Sequence, residues 1–298
     1  MIVNAPNLRA VSTGFSTAFN TGQQAVDPVY NKICMMTKSS GRDEVYAWLG
    51  QMPGIREWVG PRVISSLEVH GWTIENRKFE ATVEVPREAI EDDRIGTFAP
   101  LFNDLGRRSA EFPDQLFAEL IGEGFSAPCY DGQYFFDSDH PVRAEAGGAV
   151  ESVSNVQAGS GSPWYLLDLS RGVRPFVYQE RIPFTLQRRD QDGNENVFLD
   201  DVYQYGVRGR CNVGFGLWQL AYASKADLTP ANFELARSAM SKLRGDNGKL
   251  LGIKPTHLLV PVDLEGDGRR LLMNQNDAAG ASNPWVGSAE LIVSPWLG

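Results

Sequence analysis

Apolar residues recur at spacings of three and four at Leu8, Val11, Phe15 and Phe19, which predicts a short amphipathic helix near the N-terminus. The rest of residues 1 to about 45 is polar and weakly patterned. Such an arm is expected to lie on another part of the fold or on another subunit. Between Trp58 and Val85 the period changes to two. Trp72, Ile74, Phe79, Ala81, Val83 and Val85 alternate with Thr73, Glu75, Glu80, Thr82 and Glu84, around a turn at Asn76-Arg77-Lys78. This predicts a hairpin with one apolar face that needs a cover. Beyond Pro86 and the acidic run Glu91-Asp92-Asp93, a helical period returns at Phe98, Leu101, Phe102, Leu105, Phe112, Leu116, Phe117, Leu120 and Ile121. Acidic residues favour a helix start. Pro113 is expected to kink this long helix or split it in two, and Gly122 and Gly124 to end it.

Residues 126 to 163 read as loops. Strands are predicted at Trp164–Leu169, Phe176–Tyr178, Phe184–Leu186 and Val197–Leu199, with a turn at Asp190-Gln191-Asp192-Gly193 between the last two. Tyr203 to Tyr222 reads as a long strand bent at its glycines. Thr229-Pro230 has the chemistry of a helix start, with Thr229 as N-cap, and that helix runs through Leu243. A buried strand at His257–Val262, a helix at Leu264–Asn274 and a strand at Glu290–Val293 complete an α+β chain without internal repeats.

Composition narrows the function. The 298 residues hold 28 Lys plus Arg against 37 Asp plus Glu, a net charge of −9. That balance argues against global attraction to nucleic acid. Cys34, Cys129 and Cys211 lie far apart and form neither a disulfide framework nor a zinc motif; buried thiols are expected. No secretory pattern opens the chain, and no apolar run approaches the roughly 20 residues that span a bilayer. Asp137, Asp139 and His140, with Asp131 upstream, are the most enzyme-like cluster, because carboxylates and imidazole ligate divalent metals. A polar loop whose acids bind backbone amides accounts for the same residues. Cys129 and His140 suit a nucleophile and base, but no motif supplies an orienting group. Gly245-Asp246-Asn247-Gly248-Lys249-Leu250 is too short for a phosphate loop and places Leu250 where Ser or Thr must stand. No catalytic, cofactor or metal constellation is predicted.

Several long blocks carry a family resemblance. Tyr46-Ala47-Trp48-Leu49-Gly50-Gln51-Met52-Pro53-Gly54-Ile55-Arg56-Glu57-Trp58, Asn76-Arg77-Lys78-Phe79-Glu80, Ile90-Glu91-Asp92-Asp93 and Cys129-Tyr130-Asp131-Gly132-Gln133-Tyr134-Phe135-Phe136-Asp137-Ser138-Asp139-His140-Pro141 are four of them. Trp164-Tyr165-Leu166-Leu167-Asp168, Tyr205 to Ala221, Leu251 to Glu265 and Leu291-Ile292-Val293-Ser294-Pro295 continue the match. From about residue 40 to its end the chain resembles the Mu-like phage major head subunit (major capsid protein) family.

The resemblance implies the Hong Kong 97 phage capsid fold (HK97-like) and a non-enzymatic shell subunit that assembles as hexamers and pentamers around phage double-stranded DNA. In this reading residues 1–53 are an N-terminal arm and 54–86 the extended E-loop. Residues 87–150 and about 174–222 form the peripheral domain with its spine helix, and about 151–173 with 223–298 the axial domain. A fused scaffold is not expected, so a separate scaffold and protease, a portal and a decoration protein are the implied partners. Packaged DNA is contacted only non-specifically and no membrane is involved. The product belongs to the virion, assembled in the host bacterial cytoplasm. Intersubunit E-loop contacts are expected at Trp58, Trp72, Ile74, Phe79 and Val83. The doubled arginines Arg107, Arg108, Arg188, Arg189, Arg269 and Arg270 are expected to form salt bridges between subunits. An encapsulin-like compartment shell, or a metal-dependent hydrolase using Asp137, Asp139 and His140, are the competing readings.

Overall fold

A computed structural model describes residues 5–46, 72–92, 94–143, 149–191, 193–245, 248–276 and 280–298. The first half contains α1 (Ala5–Gln24), α2 (Tyr30–Ile33), β1 (Cys34–Lys38), β2 (Asp43–Tyr46), β3 (Trp72–Glu75), β4 (Arg77–Pro86), α3 (Arg87–Glu91), α4 (Ala99–Glu123), β5 (His140–Arg143) and β6 (Val150–Val153). The second half contains β7 (Val156–Gln157), β8 (Trp164–Leu167), β9 (Phe176–Arg189), α5 (Glu195–Asp200), β10 (Val202–Phe215), β11 (Ala221–Ser224), α6 (Pro230–Ser241), β12 (His257–Pro261), α7 (Glu265–Met273) and β13 (Glu290–Ser294).

Two larger sheets organise these elements, beside the two-stranded sheets β2-β3 and β5-β6. One has the order β1-β9-β10-β4 and the other β13-β12-β8-β11-β7. Most neighbours are antiparallel, but β1–β9, β7–β11 and β12–β13 are parallel. One large core runs through both sheets, from Phe117, Phe176 and Phe215 to Trp164, Leu258 and Phe233. A smaller core holds Leu8, Val11, Phe15, Val85, Ile90, Phe102, Val197, Tyr203 and Tyr205.

The N-terminal stripe lies on its own chain. Leu8, Val11, Phe15 and Phe19 are buried, and Phe15 stacks on Phe102 of α4 with ring centroids 4.1 Å apart. Gly22 and Gly106 let the two helix backbones touch. A Cβ on Gly22 would strike the Asn103 carbonyl, and one on Gly106 the Phe19 carbonyl. α4 is one helix through Pro113, which corrects the alternative of two segments. Next to that proline, Asp114 accepts the backbone N–H groups of Val29 (3.1 Å) and Tyr30 (2.6 Å), tying the start of α2 to the middle of α4. Gly124 caps α4 in a right-handed conformation, and its missing side chain makes room for the Phe136 ring.

The hairpin differs from expectation. β3 pairs with β2, Thr73 opposite Val45 and Trp72 opposite Tyr46, while β4 pairs with β10 in the main sheet. Asn76 is therefore a corner between two sheets and not a hairpin turn. Its side chain donates to Ser39 Oγ and the Gly41 carbonyl, and it accepts from Gln179. Alternation reveals which face of a strand is buried and says nothing of the strand's partner.

Three further expectations are corrected. Phe176–Tyr178 and Phe184–Leu186 belong to one strand, β9. Its register slips between Arg208 and Arg210 of β10, so the proline at 183 falls in a bulge where its missing N–H breaks no ladder. Val197–Leu199 lies in α5, a single helical stretch that closes the reversal between β9 and β10. A short apolar run does not distinguish helix from strand. The long strand read from Tyr203 to Tyr222 ends at Phe215, and after a helical turn over Trp218–Leu220 the chain enters the other sheet as β11. The Thr229 cap forms as expected, its hydroxyl accepting the Asn232 N–H at 3.2 Å.

Candidate functional site

The enzyme-like cluster resolves into a buried knot. After α4 the chain turns through Cys129–Asp137 before His140 opens β5. His140 is fully buried and its ring lies on the Trp218 indole, centroids 3.8 Å apart and 8° from parallel. Its Nδ1 is 2.8 Å from Asp131 Oδ2 and its Nε2 is 3.2 Å from Asn155 Oδ1. Cys129 donates its thiol hydrogen to Asp131 Oδ1 at 3.1 Å, and the Gln133 N–H reaches the same oxygen. Burial pushes the Cys129 thiol well above its ordinary range, as it does Cys34, while Cys211 is pushed up to about 11. Burial also works to raise Asp131, but its hydrogen bonds from His140 and Cys129 and the charge of His140 outweigh it, and the carboxyl sits below the usual range.

This geometry limits the chemistry. The Cys129 thiol faces Asp131 and not the imidazole, so no nucleophile–base pair forms. Cys129, Asp131 and His140 place potential ligand atoms within 4.8 Å of one another. However, the thiol holds its proton and both Asp131 oxygens are already engaged by donors. Asp137 and Asp139 do not join this set. Asp137 accepts the N–H groups of Tyr134 and Ser138, and Asp139 is exposed, its carboxyl raised by the hydrogen bond and charge of Asp137.

The residues expected at subunit contacts are distributed differently. Ile74 is buried inside its own chain, over Gly214 of β10, where any Cβ would strike its side chain. Phe79 meets Phe112 of α4 with centroids 4.6 Å apart, and Val83 packs on the smaller core. Trp72 is partly buried against the large core. Ile74 thus finds its cover within the chain, and Trp72, Phe79 and Val83 find part of theirs. Trp58 lies outside the described residues.

The doubled arginines each meet a carboxylate of the same chain. Arg107 reaches Asp104 (2.8 Å) and Glu111 (2.6 Å), and Arg108 reaches Asp104 (2.6 Å). Arg188 pairs with Asp190 and Arg189 with Glu195. Arg269 pairs with Glu265 and Arg270 with Asp267. Helical spacings of three and four bring most of these pairs together.

One apolar pair escaped the sequence reading. Phe198 is 86% and Leu199 64% exposed, on α5 at the far end of the β9–β10 hairpin. The run Val197-Phe198-Leu199 was visible, but only a helix turns Val197 inward and the next two residues out. A groove of about 610 Å³ also opens between α4 and the C-terminal segment, lined by Arg107, Arg108, Glu111, Phe112, Gln115 and Trp296.

Known proteins match this chain along its length. The chain is 41% identical over 305 residues to the major capsid protein of Escherichia phage Mu, covering all of both chains. It is also 41% identical to the Mu-like prophage FluMu major head subunit of Haemophilus influenzae, over 97% of each. Among solved structures, a chain of the bacteriophage JBD30 procapsid is 39% identical with a TM-score of 0.88, covering 99% of this chain and 100% of that one. A chain of the JBD30 capsid is 29% identical with a TM-score of 0.79, over 92% of both. The family described as Mu-like prophage major head subunit gpT matches residues 8–297, and this chain belongs to it.

Proposed function

We propose that the chain is the shell subunit of a Mu-like phage head, self-assembling as hexamers and pentamers into an icosahedral container for double-stranded DNA. The observation that carries this reading is the full-length likeness to the JBD30 procapsid chain. The role is structural and not catalytic. The buried His140, the amide-bound Asp137 and the exposed Asp139 do not meet as a hydrolase site needs, which supports this reading, and the family match favours the phage shell over an encapsulin-like compartment. Scaffold, protease and portal are separate partners, and assembly takes place in the host bacterial cytoplasm before the product enters the virion. A decoration protein fits the same reading, since one JBD30 capsid is decorated with minor capsid protein trimers.

In this reading the paired β2 and β3 belong to the E-loop, and the half-buried Trp72 completes its cover against a neighbouring subunit. Exposed arginine pairs such as Arg269 and Arg270 exchange local carboxylates for those of a neighbour on assembly. The test is electron microscopy of the protein coexpressed with its scaffold. Closed hollow shells are the expected product; a small oligomer whose hydrolytic activity is lost with chelator overturns the proposal.

A further inference from the structure

We infer that His140 is held as an imidazolium cation, ion-paired to Asp131 and stacked on Trp218, and that this buried charge pins the crossover between the two sheets. The argument is one of donors and acceptors. A neutral imidazole has one N–H and one bare nitrogen; both nitrogens donate only in the cation. Here Nδ1 faces a carboxylate oxygen and Nε2 faces the side-chain oxygen of Asn155.

The second contact depends on how the Asn155 amide is turned, and its surroundings fix that. Asn155 Nδ2 donates to the carbonyl of Phe135 at 2.8 Å and lies 3.4 Å from those of Trp218 and Ala221. Asn155 Oδ1 accepts the Asp137 N–H at 2.9 Å. Turning the amide over would set its oxygen against three carbonyls and its NH₂ group against an N–H. Nε2 therefore meets an acceptor and must carry a hydrogen. At the other nitrogen, the remaining arrangement with a neutral ring needs the hydrogen on Asp131 Oδ2. Asp131 already accepts from Cys129 and Gln133 on its other oxygen, an environment that favours the carboxylate. The indole face under the ring adds attraction for a cation.

The charged or titratable groups around the ring are Asp131 and Cys129 from the loop after α4, with Asp137 and Asp139 just before β5. Trp218 and Asn155, from the crossover turn and the β6–β7 link, do not ionise. The acid in contact with the ring is Asp131, and Asp139 is close enough to feel its charge. Its position gives it a task. Asn155 and Trp218 join the ring to the stretch where the chain leaves β10 and enters β11, and Asp131 joins it to the end of α4.

The experiment is solid-state NMR of the sedimented full-length protein with ¹⁵N-labelled histidine at pH 7.5. Three histidines are present, so the His140 signals are those missing from His140→Gln. Two protonated ring nitrogens are expected. A bare ring nitrogen at either position overturns the inference, as does a metal-shifted Nδ1 that reverts on dialysis against chelator. In Asp131→Asn the ring is expected to drop to a single N–H. Retention of both hydrogens there would remove Asp131 as the counter-ion. Cys129→Ala, which keeps the carboxylate, should leave both ring hydrogens in place.

Discussion

At the scale of residues, the Asp131 carboxylate carries much of the knot, accepting from Cys129, Gln133 and His140 on its two oxygens. Because its carboxyl is held below the usual range, its contribution to stability is complete at neutral pH. That contribution is lost as the pH falls below the ordinary carboxylate range of about 4 and through the lower value of the folded state. Asp131→Asn is expected to cost about 3 kcal/mol at pH 7, since the buried pair is lost and the ring must give up its proton. It should also flatten the acid limb of the stability curve below about pH 4. Thermal unfolding across that range checks both effects; equal stability of variant and parent at pH 7 would show the knot to be passive. Asp137 and Asp139, by contrast, order a loop. Elemental analysis of dialysed particles is expected to find no stoichiometric divalent metal, and about one equivalent per subunit lost on mutating Asp139 would overturn that.

At the scale of elements, the α1–α4 pair shows what a glycine within a helical pattern means. Gly22 and Gly106 each lie against the other helix's backbone, where no side chain can give way. Gly106→Val is therefore expected to force the helices apart, at a cost of about 1–3 kcal/mol or more, read from urea unfolding. Loss of the Phe15–Phe102 stacking should accompany it, and an unchanged midpoint would mean that α1 contributes little to the fold. Gly106 stands in the sequence within a helical period, a signal of close packing, whereas Gly22 lies beyond the last position of the N-terminal stripe. Helical period, the Thr229 cap and short apolar runs were enough to place α1, α4, α6, β12, α7 and β13. Strand partners were not legible, because β2 and β3 are separated by 25 residues and alternation specifies a face alone. β9 read as two separate strands because the register slip that carries Pro183 is set by pairing with β10 and leaves no mark in the apolar pattern. The same limit applied to the candidate site. The run Asp137-Ser138-Asp139-His140 was visible as a cluster, yet the ring's partners are Asp131, nine residues upstream, and Asn155, fifteen downstream. Nothing local marks Asn155.

At the scale of the whole molecule, the exposed Phe198 and Leu199 and the charge balance both bear on assembly. Burying a large apolar side chain contributes roughly 1.5–3 kcal/mol, and a shell repeats each contact in every subunit. Phe198→Ser with Leu199→Ser should leave subunit melting unchanged, because neither side chain is packed in the monomer, while lowering the yield of shells. Normal yield would show that this tip lies free in the particle. The charge balance concerns DNA. A head must confine a polyanion without gripping it, and each phosphate neutralised by Lys or Arg adds a counterion-release term to affinity. With a net charge of −9, the chain has few cations to spare. All six doubled arginines already meet carboxylates of their own chain, so a phosphate approaching them competes with an internal anion. Duplex DNA is therefore expected to bind unassembled subunits weakly, without sequence preference, and with a shallow dependence on salt. The measurement is a salt titration of binding by fluorescence anisotropy with two unrelated duplexes. Submicromolar affinity at physiological ionic strength, or discrimination between the duplexes, would mean that a cationic surface forms despite the local pairing.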